Sequence, residues 1–397
     1  MARKAENPVM IEPCKMGPAP VFLTKRHHPF TQKMQIATIL DFLESKAPLA
    51  LQESYDNCGL LLGQREWEAR AALLCLDCTP AVVDEAIARE CNLIISHHPL
   101  IFKGLSSITG KSDVEKAVIQ AIRHDIAVYA IHTNLDNVAQ GVNAALGACL
   151  GLENLEILAP MANKLKKLVT YVPEGHLDTV SQALFAAGAG AIGKYDQCGF
   201  TQAGMGSFRA RDGASPYVGQ LGIKHLEPEQ RLEVVVEAHM EQKVVDALLQ
   251  GHPYEEVAYD LVPLSNVHKG IGSGMVGTLA RPMSYDQFAK HLKKSLDIKA
   301  LRASPSHSLP IHKVAICGGS GVFLMPQANR LGAQAFVTAD AKYHDFFETG
   351  PTLSLFDIGH YESERFTIQL LHSWLSEKFP TFAGLITELN TNPVNYL

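Results

Sequence analysis

Nowhere in this chain do ~18 apolar residues run consecutively, so nothing in it reads as a membrane-spanning helix. Charge of one sign is also missing: 35 Lys and Arg against 41 Asp and Glu give a net charge of −6. That balance argues against direct nucleic-acid binding, which needs a basic domain or stripe. Cysteine is sparse and scattered, with eight in 397 residues, and Cys75, Cys91 and Cys317 lie in or beside apolar stretches. This usage excludes a disulfide framework and fits buried, reduced thiols in a cytoplasmic protein. Cys75-Leu76-Asp77-Cys78 has the C-x-x-C spacing but no second pair, so neither a zinc ribbon nor a redox motif follows. The glycine-dense Gly270-Ile271-Gly272-Ser273-Gly274 lacks the Gly-Lys-Ser/Thr ending of a phosphate-binding loop and reads as a turn between domains. What remains is an ordinary globular composition, 47% hydrophobic and 19% charged, long enough for two or three domains.

The chemistry-bearing residues gather at the ends of apolar runs. Leu93-Ile94-Ile95-Ser96 stops at His97-His98-Pro99, where proline bars the strand from continuing. Neighbouring side chains of a strand point to opposite faces, so His97 and His98 converge only if the backbone bends there. A second run, Ile126 to Ile131, leads into His132-Thr133-Asn134-Leu135-Asp136. A third, Leu353 to Phe356, leads into Gly359-His360-Tyr361-Glu362-Ser363-Glu364, where His360 and Glu364 share one helix face. In open α/β sheets, functional groups collect beyond the carboxyl ends of strands, so His97, His98, Asp136, His360 and Glu364 are expected at one edge. Imidazole and carboxylate without thiolate suit Zn, Mn, Fe or Ni. Five ligands exceed what one catalytic zinc commonly uses and suit two divalent ions bridged by carboxylates.

With these stretches in view, the chain resembles the Nif-three family (Ngg-interacting factor three), also labelled GTP cyclohydrolase I type 2 homologues. The resemblance rests on His97-His98-Pro99-Leu100-Ile101-Phe102, His132 to Asp136 and Gly359 to Glu364, in that order. Glu53 to Leu60, Ala315 to Gly321 and Ala339 to His344 support it, and it runs from about Met34 to the C-terminus. It implies that His97, His98, Asp136, His360 and Glu364 ligate a dinuclear metal centre. It also implies a ring-shaped homohexamer and, from the family's label, opening of a purine ring.

Periodicity gives the layout. Residues 1–33 are dotted with proline and lack periodicity, and are expected to be a flexible extension outside the fold. From Met34, strands alternate with single helices (Met34 to Lys46, Ala81 to Glu90, Asp113 to His124, Val142 to Leu150), which predicts an α/β core of mixed sheets. Between residues 164 and 265 the order becomes β-α-β-β-α-β, a ferredoxin-like α+β insert similar to PII and CutA proteins, with a glycine-rich loop up to Phe208. The metal-binding core is therefore expected in two segments, 34–163 and 266–397. His252 reads as a turn residue after a helix, followed by Pro253. Alternating apolar positions in Leu232 to Val236 and Val257 to Val262 offer a face for neighbouring copies.

The expected function is a metal-dependent hydrolase acting on a nucleotide or related small metabolite. Asp136 and Glu364 would bridge the ions, with His97, His98 and His360 terminal. His344 is the candidate for acid–base catalysis and Glu362 a weaker one, because it faces elsewhere on its helix. Cys317 to Gly321 offers backbone N–H groups that can hold an anion, and Asp340 reads equally as a helix cap or a site residue. The alternative is a non-catalytic metal-binding regulatory or scaffold protein whose insert senses a ligand.

Overall fold

The computed structural model describes residues 34–397; the extension expected over 1–33 lies outside the described residues. Contacts divide the chain into two units, one that runs to Ala159 and resumes at Gly272, the other Pro160–Ile271. Both divisions fall inside strands, Leu152–Met161 and His268–Met283. The expected turn at Gly270 to Gly274 is therefore strand. Ladder hydrogen bonds need only backbone, and Met275 and Gly277 pair with Ile316 and Val314 whatever the side chains.

The first unit holds two large sheets. One has the order Ala383–Ile386, Ala71–Cys75, Leu93–Ser96, Ala127–Ala130, Gly59–Leu62, with the first four mutually parallel and the last antiparallel. The other has the order Arg302–Ala303, Ser354–Asp357, Ala335–Thr338, Ile311–Ile316, His268–Met283, Leu152–Met161. Its three strands Ile311–Ile316, Ala335–Thr338 and Ser354–Asp357 are parallel. Parallel strands are covered on both faces, so they read as unbroken apolar runs, and Leu73, Ile94, Val128, Phe336 and Phe356 are fully buried. Three helices start on side-chain caps. Thr79 accepts the Val82 N–H with Pro80 at the first position, Ser112 accepts from Glu115, and Ser284 forms a capping box with Gln287.

The second unit has the strands Leu165–Pro173, Gly199–Arg209, Lys224–Glu237 and Tyr259–Pro263, with helices Leu177–Ala187 and Glu241–Gly251 after the first and third. Its antiparallel sheet has the spatial order fourth, first, third, second. Val180, Leu184, Val244 and Leu248 from the helices pack on Leu168, Val172, Leu232, Val234 and Val236. This corrects one expectation. The alternating apolar positions of Leu232 to Val236 are used up inside the unit and are not available to neighbouring copies. Of the glycine-rich stretch before Phe208, 189–198 is loop and turn, and the rest belongs to the strand Gly199–Arg209. Most of its side chains are exposed, so burial imposed no period-2 apolar signal on it.

Candidate metal centre

Five of the parallel strands of the first unit deliver polar groups to the site at their carboxyl ends. Asp77 follows Ala71–Cys75, His97 and His98 follow Leu93–Ser96, and His132 and Asp136 follow Ala127–Ala130. From the other sheet, Asp340 follows Ala335–Thr338, and His360 and Glu364 follow Ser354–Asp357 on the helix His360–Glu364. The backbone bend needed to bring adjacent histidines together is present. Strand hydrogen bonding continues from His97 N–H to Cys75 and from His98 N–H to Leu76, while Ser96 Oγ donates to the His98 carbonyl at 2.8 Å. The rings of His97 and His98 end with centroids 5.0 Å apart.

Four imidazoles are oriented by the same device. The Nδ1 of His97 faces the Ile131 carbonyl at 2.8 Å, that of His98 faces Asp77 at 2.8 Å, that of His132 faces Asp56 at 2.9 Å and that of His360 faces Asp340 at 2.7 Å. A carbonyl or carboxylate only accepts, so each Nδ1 carries its proton and each Nε2 is left as the ligating atom. Donor atoms of His97, His98 and His132 cluster within 4.8 Å, as do those of His98, His360 and Glu364. Glu364 Oε2 lies 3.0 Å from both His98 Nε2 and His360 Nε2, and Glu364 Oε1 lies 4.0 Å from His97 Nε2. Asp136 Oδ1 stands 3.8 Å from His97 Nε2.

The fit to a metal rests on what these groups lack. His97 Nε2 and Asp136 Oδ1 are buried and have no hydrogen-bond partner, a costly state for polar atoms unless they serve as ligands. Burial pushes His97 down to about 3, so it is a neutral base at any ordinary pH. Burial and the nearby Glu364 charge push Asp136 well above the usual carboxylate range. For Glu364, burial opposes ionisation, but hydrogen bonds from His360 and His98 hold it well below that range. His98 reaches about 10 and His360 about 9, because hydrogen bonds to Asp77, Glu364 and Asp340 outweigh the burial that disfavours their charge. Gly319 (φ +62°) is the close neighbour that admits Glu364: a Cβ there would overlap Oε1, 3.3 Å from Glu364 Cδ and 3.4 Å from His360 Cε1.

Known proteins share this fold. Residues 34–393 match the family model described as Duf34/NIF3 (NGG1p interacting factor 3). The chain belongs to this family. Among curated relatives, the GTP cyclohydrolase 1 type 2 homolog of Halalkalibacterium halodurans is 40% identical, the match covering 81% of this chain and 87% of the relative. That of Bacillus subtilis is 38% identical, covering 90% and 98%. The crystal structure of a Bacillus cereus protein related to NIF3 superposes with a TM-score of 0.81 at 36% identity, covering 92% of this chain and 100% of that one.

Within the Duf34/NIF3 frame, His97, His98, Asp136, His360 and Glu364 stand together as expected from sequence. His132 stands with them and was not singled out from the sequence, nor were the orienting carboxylates Asp56 and Asp77. The signal was there, since His132 and Asp77 directly follow apolar strand runs and Asp56 lies in the Glu53 to Leu60 stretch. Asp340 is an orienting group for His360; the cap of the next turn, Tyr343–Phe347, is Lys342. His344 is exposed in that turn beside Tyr343 and Phe347, and no hydrogen bond among the described residues joins it to the cluster. Glu362 is turned away, its carboxylate accepting from Asn392 Nδ2 at 2.9 Å. The glycine loop does not keep its N–H groups for an anion: Gly318, Gly319 and Gly321 donate to Asn143, Ser363 and Thr338. His252, in the second unit, bonds Tyr171 and Tyr254 backbone through its two ring nitrogens.

Proposed function

We propose that the chain is a metal-dependent hydrolase of a nucleotide or related small metabolite, using two divalent ions drawn from Zn, Fe, Mn or Ni. The observation that carries this reading is the set of imidazoles whose Nδ1 atoms are all tied to acceptors, with the Nε2 atoms of His97, His98 and His360 within 4.0 Å of Glu364 oxygens. The two overlapping donor groups favour two ions over one. Glu364 would bridge, since its two oxygens face different histidines, and His98 and His360 would hold one ion while His97, His132 and Asp136 hold the other. A pair of such ions supplies Lewis acidity and a nucleophile at neutral pH.

The remaining residues position a substrate. A cavity of about 630 Å³ opens beside His98 and His360 and is lined also by Tyr361, Arg302 and Val394, a size that suits a small molecule. Arg302, paired with Asp357 but 60% exposed, gives the wall a cation suited to a phosphate or carboxylate. His344 is the proposed acid–base group, on the exposed turn after the strand that delivers Asp340. A cytoplasmic homohexamer is proposed with it, supported by exposed Phe200, Met205, Leu226 and Val262 on the second unit's strands. No helix among the described residues is long and apolar enough to cross a membrane.

Incubating a metabolite pool with protein loaded separately with Zn, Mn and Fe, and following products by mass spectrometry, tests this. Turnover that vanishes in His97→Ala is expected. Stoichiometric ligand binding with no product would instead support the regulatory or scaffold role.

A further inference from the structure

The second unit carries a cavity of its own, about 730 Å³, on the sheet face opposite its two helices. Strand pairing sets Arg231 opposite Tyr171 and Gln202, and Glu229 opposite Gly204, on that face. Segment 210–217 brings in Tyr217, and the turn after Glu241–Gly251 brings in Tyr254. These two coverings are tied together, since the Ser215 N–H donates to the Glu255 carboxylate at 2.9 and 3.1 Å. Phe208 and Tyr217 flank Tyr254 with ring centroids 6.3 and 6.2 Å from it.

The floor of this aromatic cavity is a carboxylate. Glu229 is only 9% exposed, its Oε1 accepts from the Tyr254 hydroxyl at 2.9 Å, and no ion pair among the described residues engages it. Its other oxygen lies over Gly206, where a Cβ would overlap it and stand 2.6 Å from Glu229 Cδ. The chain thus omits a side chain where the carboxylate needs room. A carboxylate withdrawn from water without a cation is costly, and one walled by ring faces favours a cation twice over, through the charge and through the rings. The arginines nearby do not supply that charge. Arg231 pairs with Glu233 at 2.8 Å, Arg209 alternates onto the face opposite Phe208, and Arg211 is exposed on the covering segment.

We propose that this cavity binds a small organic cation, an ammonium or amidinium on an apolar or aromatic body, with Glu229 as its counter-ion. It is independent of the metal centre and of the reaction assigned there. The test is calorimetric titration of the full-length, metal-loaded protein with benzamidine, benzamide and benzoate, flat probes of similar size carrying positive, zero and negative charge. Benzamidine should bind at least ~10-fold more tightly than benzamide, the worth of a charge-assisted hydrogen bond. Glu229→Gln should erase that preference, and Tyr254→Phe, which keeps the charge and the ring, should retain it. If Glu229→Gln melts early, Gly206→Ala serves instead, since it displaces the carboxylate without removing it. Benzoate binding best would hand the site to the arginines and overturn the proposal, as would a benzamidine preference that survives both Glu229→Gln and Gly206→Ala. Absence of benzamidine binding would also overturn it, and would give this face to a neighbouring copy of the chain.

Discussion

A single methyl group added at Gly319 should disable the metal centre, although glycine offers no ligand. The substitution Gly319→Ala has two consequences that can be separated. First, alanine must adopt φ +62°, a left-handed conformation that costs ~1–2 kcal/mol for a residue with a Cβ. Second, the new Cβ would overlap Glu364 Oε1, so the carboxylate must swing. It cannot then keep both 3.0 Å bonds to His98 and His360. Losing one hydrogen bond to a charged group costs ~1.5–3 kcal/mol, which brings the total to about 2.5–5 kcal/mol. Gly332→Ala is the control: φ is +70° there and a Cβ would meet nothing within 4 Å, so only the backbone cost applies. Denaturant unfolding of the two metal-free variants should differ by the Glu364 share alone. Because ligand distances tolerate only ~0.2 Å, chelator competition should show metal affinity at least ~100-fold weaker in Gly319→Ala and unchanged in Gly332→Ala. Equal stabilities and equal affinities for the two variants would refute the steric role assigned to Gly319.

Elemental analysis of His97→Ala, Asp136→Ala and His132→Ala should give fewer metal ions per chain than the wild type, and full occupancy in all three would remove the two-ion reading. Asp77→Asn, which keeps the shape that orients His98, should weaken metal affinity ~10–100-fold in the same chelator titration. Metal binding at pH 7 should release protons, because His98 (about 10) and His360 (about 9) are protonated in the metal-free protein; calorimetry in buffers of different ionisation enthalpy reads this, and affinity should rise with pH. The metal-free protein runs the other way: these raised values stabilise it fully below pH 6.5, and that share is lost as pH climbs through about 9 and 10. Excising residues 164–265 should leave a folded, metal-binding core, because the first and last strands of that span pair, Lys166 with Pro263, and bring the cut ends together; insoluble or metal-free products across several linkers would count against it.

The histidine pair, the His360–Glu364 spacing and Asp136 were legible in the sequence because an apolar run that ends abruptly in ligating residues marks a strand's carboxyl end. The helices that follow Thr79 and Ser112 were equally plain, since capping is a local hydrogen bond set by residues three apart, whereas the helix Tyr285–Ser295 was not read despite its cap at Ser284. Local chemistry is written in local sequence. What the sequence could not state was which acceptor each imidazole would meet. Asp56, Asp77 and Asp340 lie 76, 21 and 20 residues from His132, His98 and His360, and only the pairing of neighbouring strands within each sheet makes them partners. The same holds for Gly319, an ordinary loop glycine until Glu364 is packed against it. The strand Gly199–Arg209 and the strand Ala383–Ile386 also escaped notice, because pairing with a distant neighbour rather than an apolar period holds them in place. Residue type and spacing determined that residues able to ligate a metal gather at strand ends; the packing of distant acceptors against them decided which nitrogen each histidine leaves free, since a ring's tautomer follows its partner and that partner is a tertiary contact.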